Sequence, residues 1–270
     1  MNEKLIERLY LCEKIEALVL GGSRATGKND DNSDFDYYVY LSEDLSENER
    51  QLMLKDFVKY MEYSNEFWEL EDDGILKNGI DIEFIYRTIS DMSKSLDNLL
   101  IKGNVSNGFS TCFVDNLIAS KVIFDKKGNY KELQDRYKKL LTNDFYDLIV
   151  YKNFPILMDR MPSLYFQVEK ALKRNDLLSM NHRSSAYFEM YFDIIFAINR
   201  QTHPGEKRML ELASELSYSP KDMKKDITEY FNFLFVNHSR ALELLEKISI
   251  DLFDLLVEKG YHVTINSYKK

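Results

Sequence analysis

A short apolar run, Ala17-Leu-Val-Leu20, stops abruptly at Gly21-Gly22-Ser23, and after a spacer the chain delivers Asn32-Ser-Asp-Phe-Asp-Tyr-Tyr-Val39. This order constrains the fold more than any other feature. The apolar run reads as a buried strand. The two glycines that end it carry no side chains, so backbone N–H groups and the Ser23 hydroxyl can approach an anion closely. Asp34 and Asp36 follow at the start of a second strand, and residues two apart on a strand face the same way. Two carboxylates held side by side repel each other and destabilise the fold unless a cation lies between them. Hard oxygen ligands of this kind point to Mg²⁺ or Mn²⁺.

A further carboxylate lies in Gly79-Ile-Asp-Ile-Glu-Phe-Ile-Tyr-Arg87. Asp81 and Glu83 take one face of the strand this segment predicts, and Ile80, Ile82 and Phe84 take the other. A charged pair on an otherwise apolar strand is a poor choice for packing alone. It makes sense if that face meets the metal site, where three carboxylates would hold two ions that clamp a triphosphate and activate a hydroxyl.

Composition removes other classes. The chain has 270 residues and a net charge of −9, with 36 basic and 45 acidic side chains. Residues 1–100 contain 11 basic and 23 acidic residues, or −12, which leaves +3 for the remainder. No concentrated basic surface emerges, which argues against nucleic acid as the partner. No apolar run reaches the roughly 20 residues of a membrane span, and the N-terminus mixes charge into its apolar positions, so the sequence reads as cytoplasmic. Cys12 and Cys112 are too few for a disulfide framework or a thiolate metal site. The four histidines are scattered without metal-ligand spacing.

The pattern predicts an α+β organisation. Helix-like and strand-like segments alternate up to about residue 127: a helix over 2–14, strands at 17–20 and 35–41, and a helix from Ser46 to about 62 with a Ser-x-x-Glu capping box. Strands at 67–70 and 80–86 follow, joined by an acidic turn at Asp72-Asp73-Gly74, then a helix near 90–102 and a short strand at 121–124. From 128 to 270 the chain reads as an all-helical bundle, with breaks at Pro155, Pro162, His203-Pro204-Gly205 and Ser219-Pro220. The aromatic stripe Tyr187, Phe188, Tyr191, Phe192, Ile195 and Phe196 has the spacing of a bundle core. The acid-rich run Glu66–Asp73 reads either as a solvated hairpin or as a lining for a polycationic substrate.

Gly-Gly-Ser, a spacer, Asp-x-Asp and a later strand carboxylate together resemble the nucleotidyltransferases of the DNA polymerase β superfamily. Within that superfamily the chain resembles the bacterial small-molecule and antibiotic nucleotidyltransferases, the aminoglycoside and streptomycin-type adenylyltransferases among them. The resemblance is specific over 17–40 and weaker over 79–87. In the helical half it rests on Phe196-Ala-Ile-Asn-Arg200 followed by Gly205-Glu-Lys207. It implies a catalytic domain with a mixed sheet over 1–127 and a helical domain over 128–270 that covers the substrates, with ATP entering between them. It implies that Gly22 and Ser23 bind the triphosphate, with Arg24, Asn199 and Lys207 as further nucleotide contacts. Asp34 and Asp36 bind Mg²⁺, and either Asp81 or Glu83 is the third carboxylate. Relatives commonly end this strand with an acid, two apolar residues and Tyr-Arg, so the resemblance implies Glu83, here Glu83-Phe-Ile-Tyr-Arg87, which also becomes the candidate base. The reaction implied is AMP transfer from ATP to the hydroxyl of a small acceptor, an aminoglycoside first, with release of pyrophosphate. A lincosamide or a protein side chain is the alternative acceptor, and a nucleotide-binding module without catalysis is the rival from another class. The sequence gives no oligomeric state.

Overall fold

The computed structural model describes residues 2–27, 33–67 and 69–265. By their contacts these divide into two units. The first comprises residues 1–102 and 113–140, and the second 103–112 and 141–270. The change to all-helical sequence at 128 and the change in packing at 140 are therefore separate events, because the helix over 129–140 packs with the first unit.

The first unit is built on a six-stranded mixed sheet: β1 (Ile15–Leu20), β2 (Phe35–Leu41), β3 (Val58–Asn65), β4 (Glu71–Leu76), β5 (Asp81–Arg87) and β6 (Lys121–Asp125). The strands lie in the order β3-β4-β5-β2-β1-β6. Only β2 and β5 pair in parallel, and the other pairs are antiparallel. One face packs on α1 (Asn2–Leu11) and α3 (Glu47–Leu54), burying Leu5, Leu9, Leu18, Val39, Leu54 and Phe84 in one core. Between β1 and β2 lies the short α2 (Gly22–Thr26). On the opposite face Tyr38 meets Asn116 of α5 (Cys112–Ala119), and Tyr40 meets Tyr130 of α6 (Asn129–Leu140). Between β5 and α5 runs α4 (Ile89–Leu100), its N-terminus capped by the Thr88 side chain.

Two segments differ from the sequence expectation. Ser46 and Glu49 do form the expected capping box, but the helix stops at Leu54 and the chain enters β3 at Val58. Strand 67–70 does not form among the described residues, and Asp72-Asp73-Gly74 lies inside β4 rather than in a turn. The turn comes later, over 77–79.

A buried ion pair accounts for the second correction. Asp72 is fully buried, and both its oxygens accept from Arg50, at 2.8 and 3.2 Å. Tyr86 Oη and the Ser64 backbone N–H also donate to Asp72, at 2.8 and 2.9 Å, and Arg50 donates to the Leu45 carbonyl. A buried carboxylate satisfied on every side is tolerated, whereas one stripped of its cation costs about 3–5 kcal/mol. The network pins the parity of β4. With Asp72 turned toward the α1/α3 core, Glu71 and Asp73 must face the other side.

The second unit contains α7 (Asn143–Phe154), a π-helical turn at Pro155–Asp159, α8 (Leu164–Arg174), α9 (Leu177–Ile198), α10 (Met209–Ser214), α11 (Met223–Phe233) and α12 (His238–Glu258). The aromatic stripe lies on α9, and all six of its residues are buried. Buried hydroxyls pair within the bundle, Tyr187 with Ser249 and Ser184 with Tyr230. Residues 103–112 leave the first unit and are held here. Ser110 N–H donates to the buried Asp193 of α9 at 3.0 Å, and the His203 N–H donates to Thr111 Oγ1 at 2.6 Å. No helix among the described residues is long and apolar enough to cross a membrane.

Candidate active site

The end of β1 and the start of β2 are laid directly together. Gly21 N–H donates to the Asp36 carbonyl at 2.8 Å, which fixes the glycine turn against the first turn of β2. Gly22 has φ +59, and a Cβ placed there would lie 1.8 Å from Asp36 Oδ2. The Asp36 carboxylate thus occupies the volume that any side chain at Gly22 would need, and it sits against bare peptide. Asp34 immediately precedes β2 and Asp36 lies within it.

Strand register then gathers the acids. Asp36 of β2 lies opposite Glu83 of β5, and Glu83 lies opposite Asp73 of β4. Neighbouring residues in register share a face, so the three carboxylates form a row across three strands. Glu71, two residues before Asp73, joins the row at its far end. Ligand oxygens of Glu71, Asp73 and Glu83 lie within 4.8 Å of one another. Asp81 is exposed and stands opposite Ile75 at the start of β5. Of the two β5 acids, the register places Glu83 in the row.

The electrostatics follow from that crowding. The Glu83 carboxyl is pushed up to about 7, first by burial and then by Asp36, Asp73, Glu71 and Asp34. Glu71 is raised by burial, then by Asp73 and Glu69. Asp73 is raised chiefly by burial, although a hydrogen bond from Asn65 works against it. Hard oxygen donors that repel one another and gain by neutralisation suit a divalent cation.

The sign for stability follows directly. Glu83 is harder to ionise folded than unfolded, so its penalty is absent below about pH 4.5, grows through pH 4.5–7 and is complete above about 7. Glu83→Gln is therefore expected to stabilise the metal-free protein at pH 8 by about 1–2 kcal/mol, after discounting for its partial exposure to solvent. At pH 4.5 it should change little. Urea unfolding in EDTA at the two pH values measures the difference, and a Glu83→Gln protein less stable than wild type at pH 8 contradicts the assignment.

The remaining candidates are placed as follows. Ser23 is half-buried in the first turn of α2. Arg24 Nε donates to the carbonyls of Ser33 and Asp34, at 3.0 and 2.8 Å, and its guanidinium lies 4.0 Å from the Phe35 ring centroid. It clasps the start of β2. The Asn199 amide in the second unit is committed at the end of α9. Its Nδ2 donates to the carbonyls of Ile195 and Tyr218, and its Oδ1 accepts from Tyr218 N–H. Such a staple supports the backbone; it leaves no amide hydrogen for a ligand. Lys207 is exposed in the turn before α10 and makes no ion pair among the described residues.

Asp73 and Glu71 were not singled out as site residues from the sequence. Their signal was present in the acidic run, but it became readable only with the strand parity that Asp72 and Arg50 impose.

A glycine turn set between two strands thus faces a row of carboxylates on the neighbouring strands. Residues 3–97 match the family described as polymerase beta, nucleotidyltransferase. Solved structures resemble the chain over most of its length. One is a nucleotidyltransferase-like protein from Exiguobacterium sibiricum 255-15, with 10% identity, a TM-score of 0.44, and coverage of 96% of this chain and 73% of that one. Another is an aminoglycoside 6-adenyltransferase from Bacillus subtilis, with 12% identity, a TM-score of 0.28, and coverage of 94% and 90%. No curated protein matches the chain.

Proposed function

We propose that the chain transfers a nucleoside monophosphate, AMP from ATP in the first instance, to the hydroxyl of a small cationic acceptor such as an aminoglycoside. The observation that carries this reading is the contact between the glycine turn and Asp36, because it joins an anion-binding backbone to a carboxylate row. The backbone of Gly22 and the Ser23 hydroxyl receive the triphosphate. Asp34, Asp36 and Glu83 hold Mg²⁺, with Asp73 and Glu71 beside them. Bound Mg²⁺ supplies charge neutralisation for the phosphates and lowers the pKa of an oxygen it holds.

Glu83 takes the proton of the acceptor hydroxyl as that oxygen attacks the α-phosphorus and pyrophosphate departs. Arg24 acts as a positioning residue, through the Ser33–Asp34 backbone.

The acceptor assignment rests on charge. Half-buried Asp73 and Glu83, with the buried Glu71 beside them, form an acidic cluster with no cationic side chain paired to any of them among the described residues, and such a cluster attracts a polycation. Incubation of purified protein with labelled ATP, Mg²⁺ and an antibiotic panel tests the reading. The expected result is a mass increase of one AMP on an aminoglycoside, and pyrophosphate release that stops in EDTA. Label appearing on a protein band of a cell extract, with every antibiotic unmodified, rejects the small-molecule acceptor. Absence of any pyrophosphate release with all four nucleoside triphosphates rejects the transfer itself.

A further inference from the structure

We propose that Tyr38 and Arg87 are positioning residues for the Gly21–Ser23 turn, setting the height at which its backbone meets the triphosphate. The inference rests on the reading of that turn as the triphosphate site. Tyr38 follows Asp36 by two residues on β2 and shares its face. Its ring edge lies against Gly21, where a Cβ would come 2.3 Å from Cε2 and 3.2 Å from Cδ2. Gly21 is therefore seated between two supports, the ring on one side and the hydrogen bond to the Asp36 carbonyl. A ring that tilts carries the turn with it.

The ring is held on several sides. Tyr38 Oη accepts from Asn116 Nδ2 at 2.6 Å, and the Arg87 guanidinium lies 4.2 Å from the ring centroid. Arg87 is itself sandwiched, with Phe113 at 4.9 Å on another side. Its plane is set by Glu69, which accepts from Nε at 2.9 and 3.1 Å and also from NH2, and by Asn116 Oδ1 at 3.2 Å from NH1. A planar cation fixed by a bidentate carboxylate and stacked on an aromatic face holds that face in place, which a lysine ammonium cannot do. Each nitrogen of the guanidinium already donates within the protein, and the side chain is 9% exposed. Arg87 consequently acts through Tyr38 and not by touching phosphate.

The test compares two affinities in the full-length protein, for Mn²⁺ alone and for each nucleoside triphosphate with Mn²⁺, with the melting temperature as a check on folding. In Tyr38→Leu the nucleotide Kd is expected to rise by at least about tenfold, as for a misplacement of under an ångström, with Mn²⁺ affinity within about twofold of wild type. Tyr38→Phe keeps the ring and should stay within about threefold for nucleotide. If Tyr38→Leu loses its cooperative melting, Arg87→Met carries the test, with a nucleotide Kd raised by about threefold or more at unchanged Mn²⁺ affinity. A lowered melting temperature with both affinities unchanged means the stack only supports the fold and overturns the inference. Wild-type protein that binds no nucleoside triphosphate overturns the functional reading first, and the inference with it.

Discussion

Asp36→Asn is expected to lower nucleotidyl transfer by about a thousandfold or more, equivalent to about 4 kcal/mol of transition-state stabilisation. The substitution preserves shape and backbone hydrogen bonding, so the Gly21 N–H still reaches the residue-36 carbonyl. What disappears is one negative charge in the centre of the row. Because Asp36 is the second cause, after burial, of the raised Glu83 carboxyl, its removal also lets Glu83 ionise at lower pH. The variant should therefore melt at or above the wild-type temperature in EDTA while losing the stabilisation that Mg²⁺ gives wild type. Pyrophosphate release together with melting curves with and without Mg²⁺ measures both effects. Turnover within tenfold of wild type would sink the role given to this carboxylate.

Gly22→Ala is the second large effect, and it comes from geometry rather than charge. Its φ of +59 alone costs an alanine about 1–2 kcal/mol. The greater cost is steric, since a methyl group 1.8 Å from Asp36 Oδ2 forces either the turn or the carboxylate to move. Both movements separate the anion-binding backbone from its carboxylate, and kcat/KM is expected to fall by about a hundredfold or more. Gly27→Ala provides the control. That glycine has a φ of +70 but open space around it, so the same backbone strain should leave kcat/KM within about threefold of wild type. Equal losses in the two variants would mean that strain, and not the collision with Asp36, limits activity.

Much of this site was readable before the fold. Gly21-Gly22-Ser23 and Asp34-x-Asp36 stand out in the sequence by order and spacing, and strand register sets Asp36 beside Glu83. The helical half read well because its aromatic stripe repeats at helical spacing over a long element. The region from 55 to 76 did not. The capping box at Ser46 marks where α3 begins, but no glycine or proline marks its end at Leu54. The Val58–Asn65 segment then contains methionine, lysine and glutamate, which suit a helix as well as a strand. Without β3, the acids at 71–73 had no strand to pair with and read as a turn. Their true arrangement depends on Arg50, far away in sequence, drawing Asp72 into the opposite face. Pairings of that kind are tertiary, and no local spacing encodes them.

The excursion of residues 103–112 has a practical consequence for dissecting the protein. The chain passes between its two units at 102/103, 112/113 and 140/141, so no single cut separates them. A fragment ending at 140 would keep the whole catalytic sheet, yet it would also keep Ser110 and Thr111 without Asp193 and His203, which hold them. A cut at 127 would in addition strip α6, and with it the Tyr130 ring that packs on Tyr40 of the sheet. Isolating the first unit calls for a short loop in place of 103–112 as well as a new C-terminus after 140.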